Sequence, residues 1–217
     1  MISITDVLEQ KLKSSPYILE SLEHGLLNHS SLARLLHKEI EKETKKNITQ
    51  SALIMAINRL AKKIQEIQKT RKIFSQAPNM IVRSNLFECT IINSKNMIAL
   101  QKQILEEVAH HQGAFLTITS GVFETTIIAS GELEKKIVQV CGKAQIKSII
   151  TDLASVTIQL DDYIVTTPGA YAHILKLLAW EGINITEVVS TYGELTIILK
   201  NTDSDRAFSV LKNTIAQ

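Results

Sequence analysis

At 217 residues the chain can hold one large domain or two to three small ones, and its 45% apolar and 21% charged residues are those of a globular protein. No apolar run reaches the roughly 18 residues needed to cross a bilayer. Met1-Ile2-Ser3-Ile4-Thr5-Asp6 has no basic stretch leading into an apolar one, so a cytoplasmic protein without a membrane partner is expected. The net charge of +2 hides an imbalance: residues 1–76 carry 13 Lys+Arg against 8 Asp+Glu, and residues 77–217 carry 11 against 14, so any polyanion should meet the first third.

That first third has helical spacing, with one proline and one glycine up to residue 72. Tyr17, Ile18, Leu22 and Leu26 begin one apolar face, and Gly25 marks its end. Ser30-Ser31 are good N-cap residues for a second helix that places Leu32, Leu35, Leu36 and Ile40 on one side. After a polar run from Glu41 to Asn47, a third helix opens at Thr49 and shows Leu53, Ala56, Ile57, Leu60, Ile64 and Ile67 at helical spacing. This leaves Ser51, Met55, Asn58, Arg59, Lys62 and Lys63 toward solvent, and Lys69-Thr70-Arg71-Lys72 extends the basic surface toward a following strand or wing. Three short helices with a polar, basic outer face fit a helix-turn-helix whose third helix enters the major groove of double-stranded DNA. The candidate contacts are Ser51, Met55, Asn58, Arg59, Lys62, Lys63, Lys69 and Arg71. The segments 30–40 and 49–67 resemble winged-helix proteins in the phrases Leu32-Ala33-Arg34-Leu35-Leu36 and Ala56-Ile57-Asn58-Arg59-Leu60. A basic helix face is also ordinary solvated surface, and helical trios of this size dimerise or dock on proteins. Both readings stand at this point.

After Pro78 the apolar period changes from 3.6 to 2. Met80 to Asn93 reads as one long or bulged strand, and Met97, Leu100, Ile104, Leu105 and Val108 as a helix face closed by His110-His111-Gln112-Gly113. Strands follow over 114–120 and 122–129, then a helix from Glu132 to Val140 stopped by Gly142, then strand-like Ile146–Ile150. A second pass begins at Val156-Thr157-Ile158-Gln159-Leu160. It continues with a helix from Pro168 to Glu181, strands at 183–191 and 194–200, and a last helix from Ser204 burying Ala207, Phe208, Leu211 and Ile215. Glu124-Thr125-Thr126-Ile127-Ile128 repeats in type as Glu194-Leu195-Thr196-Ile197-Ile198. The chain therefore contains a duplicated βαββα unit. The second copy lacks a closing strand, to be supplied by the first copy, another subunit or residues 143–153.

The βαββαβ order is ferredoxin-like. Thr167-Pro168-Gly169-Ala170, Gly182-Ile183-Asn184-Ile185 and Ser190-Thr191-Tyr192-Gly193-Glu194-Leu195-Thr196-Ile197 resemble the ACT domain, above all the regulatory ACT pair of aspartokinases. Nothing in the chain resembles the kinase catalytic domain. The resemblance implies pairing into a homodimer and an amino-acid effector held between the strand–helix loop and the facing strand. Elementary chemistry points to the same loop. Backbone N–H groups at a helix start attract a carboxylate, Gly169 removes bulk, Asn184 donates and accepts, and Asp161 and Asp162 can receive an ammonium group. The candidate ligand residues are Asp161, Asp162, Thr167, Pro168, Gly169, Ala170, Asn184 and Ile185. The plain alternative is that Pro-Gly starts a helix and Asn184 occupies a turn. The first copy has Asn93-Ser94-Lys95-Asn96 in place of the Pro-Gly turn.

Catalysis finds no support in the sequence. The six histidines form no metal-binding spacing, and adjacent His110 and His111 would point about 100° apart on a helix. No phosphate-binding glycine loop is present, and Cys89 and Cys141 read as reduced, partly buried thiols. Trp180 reads as a packing residue at a helix end. No cofactor or metal is expected. The overall expectation is an α+β chain: a winged-helix-like helical domain over 1–76, a first ferredoxin-like ACT domain over 77–152 and a second over 153–217. Its function would be an amino-acid-sensing regulator, either DNA-binding or docking on a biosynthetic enzyme.

Overall fold

The computed structural model describes residues 3–70, 78–142 and 145–215, the side chains of 66–70 and 214–215 excepted. It divides into two compact units, Met1–Lys72 and Ile73–Gln217.

Among the described residues the first unit contains four helices, not three. α1 (Ile4–Lys13) is fixed by a capping box in which Ser3 Oγ accepts from the Asp6 N–H at 3.1 Å and the Asp6 carboxylate accepts from the Ser3 N–H at 3.3 Å. α2 (Pro16–Glu23) opens on proline and runs into Gly25 at φ +68°. α3 (His29–Thr44) is capped by Asn28, whose Oδ1 accepts from the Ser31 N–H at 3.0 Å, and stops at left-handed Lys45. α4 (Gln50–Thr70) opens as expected on Thr49, whose hydroxyl accepts from the Ala52 N–H at 3.3 Å. The α3–α4 turn is locked from both sides. His37 Nε2 donates to the Ile48 carbonyl at 2.7 Å, and Glu41 Oε1 accepts from the Ile48 N–H at 3.0 Å.

The core of this unit joins Leu8 and Leu12 of α1 to Leu22, Leu36, Ile40, Leu53 and Ile57. Each large aliphatic side chain fully removed from water contributes about 1.5–3 kcal/mol. Leu35 is 66% exposed and Ala33 takes its place inward, while Tyr17 and Leu26 also face solvent. No strand lies among the described residues of this unit, and residues 71–77, where a wing would begin, lie outside them.

The second unit runs β1 (Met80–Ile92), α5 (Met97–Ala109), β2 (Leu116–Ser120), β3 (Glu124–Ser130), α6 (Glu134–Cys141), β4 (Ile146–Gln159), α7 (Ala170–Trp180), β5 (Ile185–Ser190), β6 (Glu194–Lys200) and α8 (Ser204–Ile215). The six strands form one antiparallel sheet in the order β2-β3-β1-β4-β6-β5.

Its centre is two long strands shared by both repeats. The second half of β1 pairs with the first half of β4 (Glu88 across from Ile150, Thr90 across from Ser148), closing the first repeat. The first half of β1 pairs with the second half of β4 (Met80 across from Ile158, Val82 across from Val156), closing the second. The missing edge of the second copy is thus supplied by residues upstream of the first. The boundary expected between 152 and 153 falls inside β4, and the two segments read as separate strands at 146–150 and 156–160 are one.

Both long strands change phase where they pass from one repeat to the other. Asn85 and Asp152 have φ +55° and +58°, and the register shifts around them. Each inserts one residue, as a β-bulge does. In β1 the helix side carries Met80 before the bulge and Phe87, Cys89 and Ile91 after it, and Val82, across from Val156, lies on the same side but is exposed. The extra residue keeps both sets on one face, against α7 and α8 in one half and α5 and α6 in the other. Leu105, expected in the α5 core face, is 55% exposed. On the opposite face Leu86, Ile128, Leu153 and Ile198 form their own buried cluster with Phe115 and Val189, which a curled sheet covers without helices.

Candidate functional site

The residues expected to hold an effector lie at two ends of α7. At its start, the Leu160 N–H donates to the Gly193 carbonyl at 2.8 Å, tying the end of β4 to the β5–β6 turn. Asp161 then leads into a 3-10 turn over Asp162–Thr166 that buries Ile164, a feature with no clear sequence signal. Thr167 Oγ1 donates to the Tyr163 carbonyl at 2.8 Å. Gly169 has φ 84° and ψ 0°, and the Ala170 N–H donates to the Thr167 carbonyl at 3.3 Å, the pattern of a type II turn with proline and glycine at its two central positions. Pro168 therefore precedes the helix and does not open it.

At the other end of α7, Gly182 turns the chain at φ +69°, Ile183 is buried, and Asn184 and Ile185 lead into β5. Eleven helical residues at 1.5 Å per residue put about 16 Å between these groups. One chain does not bring Thr167–Ala170 and Asn184 to a single pocket. Trp180 is exposed, with Lys176 Nζ 4.5 Å above its ring, rather than packed in a core.

Asn184 and Ile185 instead share a cleft of about 580 Å³ with Ile150, Thr151, Asp152 and Leu153 of the β4 bulge, Thr186, Lys200 and Thr202. Lys200 stands directly across from Leu153, one residue from Asp152, and the two charges form no ion pair with each other. The equivalent of the Pro-Gly turn in the first repeat is held shut by Asn93. Its amide donates to the Gly121 and Val122 carbonyls at 2.9 and 3.2 Å, and its Oδ1 accepts from Thr125 Oγ1 at 2.7 Å.

Glu88, which sequence reasoning passed over, sits on the open face of the sheet at 7% exposure. Its Oε1 accepts from Thr90 Oγ1 at 3.4 Å, and among the described residues Oε2 has no partner. Burial, then the charge of Glu187, push its pKa above the ordinary carboxylate value, against the opposing Thr90 hydrogen bond. Glu187 lies on β5, three strands away in the sheet order, so the curl carries β5 back toward β1. Cys89 and Cys141 meet as free, buried thiols in the first repeat's core. Their mutual hydrogen bond and burial push the Cys89 thiol far above its ordinary value. Among the described residues no group of histidines, cysteines and carboxylates could hold a metal ion.

In the first unit Ser51, Met55, Asn58, Arg59, Lys62 and Lys63 are all exposed, and at 100° per residue they span roughly 140° of α4. Asn58 is hydrogen-bonded to His29, and Lys63 reaches Glu9 at 3.8 Å. Lys11 holds Glu39 and Glu43 at 3.1 and 2.7 Å, and these carboxylates, Glu43 foremost, raise its pKa. Arg59 and Lys62 have no ion pair among the described residues. The side chain of Lys69, and Arg71 altogether, lie outside the described residues.

The sheet unit is thus two βαββα repeats that share their long strands, with helices on one face. Solved structures that share this fold include aspartate kinases and their regulatory parts. The regulatory subunit of aspartate kinase from Thermus thermophilus, in its ligand-free form, superposes with a TM-score of 0.50 at 15% identity over 64% of this chain and 98% of that one. Aspartate kinase from Clostridium acetobutylicum gives 0.53 at 16% identity over 69% of this chain, and that from Synechocystis 0.52 at 16% over 66%. This chain spans only 37% and 28% of those two enzymes. No protein-family model matches the sequence, and no curated protein matches it. At these identities the likeness is one of fold.

Proposed function

We propose that the chain is an amino-acid-sensing regulatory protein in which the sheet unit binds the effector and the helical unit delivers the response. The observation that carries this reading is the pair of repeats fused through β1 and β4, in a chain whose match covers 98% of the Thermus regulatory subunit. Aspartate kinase regulation acts through amino acids in the family the sequence resembles, and an amino acid is the effector class proposed here. The pairing that the resemblance implies makes a homodimer the proposed working assembly.

For the output, DNA is the proposed partner. Support comes from the exposed α4 face with Arg59 and Lys62 outside any described ion pair, and from the rigid α3–α4 turn that presents it. The exposed apolar side chains Tyr17, Leu26, Leu35 and Met55 favour a second reading, docking on a protein. A gel-shift titration across salt concentrations separates the two. A DNA complex should weaken steeply as salt rises, because released counterions are lost from the driving force. Absent or salt-independent binding leaves the docking reading. Calorimetry with the twenty amino acids tests the sensing role, and failure of all of them to bind would overturn it.

A further inference from the structure

We propose that the cleft at the β4 bulge is a zwitterion site, present in the second repeat only, that takes the ammonium and carboxylate of one amino acid per chain. The proposal rests on the sensing role above and gives it a location.

The argument comes from comparing the repeats within the chain. The left-handed residues at the two bulges correspond, so Asn85 stands where Asp152 does. The segments β3 and β6, with the 3-10 turns after them, put Ser130 at the place of Lys200, Gly131 at that of Asn201 and Glu132 at that of Thr202. In the first repeat two of these positions are engaged within the repeat itself. Asn85 packs so closely on Gly131 that a Cβ there would lie 2.5 Å from Asn85 Oδ1, and Ser130 Oγ accepts from the Phe115 N–H at 2.9 Å. In the second repeat Asn201 carries the Cβ that Gly131 lacks, so Asp152 is denied the pose of Asn85 and lines the cleft instead.

The charges are not demanded by the backbone. Asn occupies a left-handed position as readily as Asp, and the strand position of Lys200 accepts serine in the first copy. The second copy thus places an anion and a cation at two neutral positions, in a cleft whose 580 Å³ falls in the range of small-ligand pockets. Lys200 Nζ donates to the carboxylate of a bound amino acid, and Asp152 accepts from its ammonium group. Asn184 and Thr202 supply neutral hydrogen bonds, and Ile150 gives an apolar wall for its side chain.

The test is calorimetry of the full chain with each of the twenty L-amino acids, with the N-acetyl amides of any that bind, and with the variants Asp152→Asn and Lys200→Ser, which restore first-repeat chemistry. The expected result is one ligand per chain, no binding of the uncharged amide, and at least about a tenfold loss of affinity in each variant. Unchanged melting of the ligand-free variants would tie that loss to the site itself. Binding of the amino acid within about twofold of wild type in both variants would overturn the cleft and leave the sensing role standing. Two ligands per chain, or equal binding of the amide, would also overturn it without any variant. No amino acid bound by the wild-type chain would overturn cleft and sensing role together.

Discussion

Glu88 is a carboxyl whose environment works against its charge. With a folded-state pKa above its ordinary 4.5, it is protonated in both states below that value, and its penalty is then absent. As pH rises through the raised folded value, the unfolded chain ionises first and stability is lost. Glu88→Gln should therefore stabilise the sheet unit at pH 7 by about 1 kcal/mol, with the gain shrinking toward zero at pH 4. Urea midpoints at the two pH values check this, and a variant less stable at pH 7 would contradict it. Cys89 and Cys141 should resist an aromatic disulfide reagent in the native state and react only in denaturant, since both sulfurs are buried out of the reagent's reach and Cys89 is further held as the thiol by Cys141 and by burial. Neither feature stood out in the sequence. Glu88 is one acid in a strand of mixed character until curling brings Glu187 near, and the cysteines touch only because β1 and the end of α6 pack together.

Among the elements, those with strong local punctuation were legible. Thr49, Gly142 and the alternating isoleucines of β3 and β6 all mark boundaries at or within a residue or two of the observed ones. β4 was not, because Thr151-Asp152-Leu153 interrupts its alternation where the strand bulges. The Pro168-Gly169 pair has two local solutions, a helix start or a type II turn, and the left-handed glycine selects the second. α1 escaped because its capping box lies at the very beginning, before any apolar series is long enough to read. Strand sharing makes a further prediction. A fragment of residues 153–217 contains every element of the second repeat except its closing strand, so it should fail to unfold cooperatively by circular dichroism, whereas 78–217 should melt in one transition. A cooperative melt of the short fragment would show that the first half of β1 is dispensable.

Over the whole molecule, the shift in composition near residue 76 falls close to the division between Met1–Lys72 and Ile73–Gln217, and the duplicated unit runs through one six-stranded sheet. What composition could not convey is which cations remain available. Lys11 and Lys63 are already engaged with Glu43, Glu39 and Glu9, so the excess positive charge overstates what a polyanion would meet. If DNA is bound through α4, replacing Arg59 and Lys62 together by alanine should reduce the slope of log affinity against log salt by about 2, the loss of two phosphate contacts. A slope unchanged by the double variant would place the contact elsewhere.

Asp152 has one more consequence. A strand alternates sides with every residue, so the inserted residue acts as a half-wavelength delay that resynchronises two patterns written in opposite parity. Deleting it would not merely shorten β4. It would turn Ala154, Val156 and Ile158 outward and Ser155 and Thr157 toward α7 and α8, inverting one repeat while leaving the other intact. The bulge is where the two halves of this protein agree on which way is in.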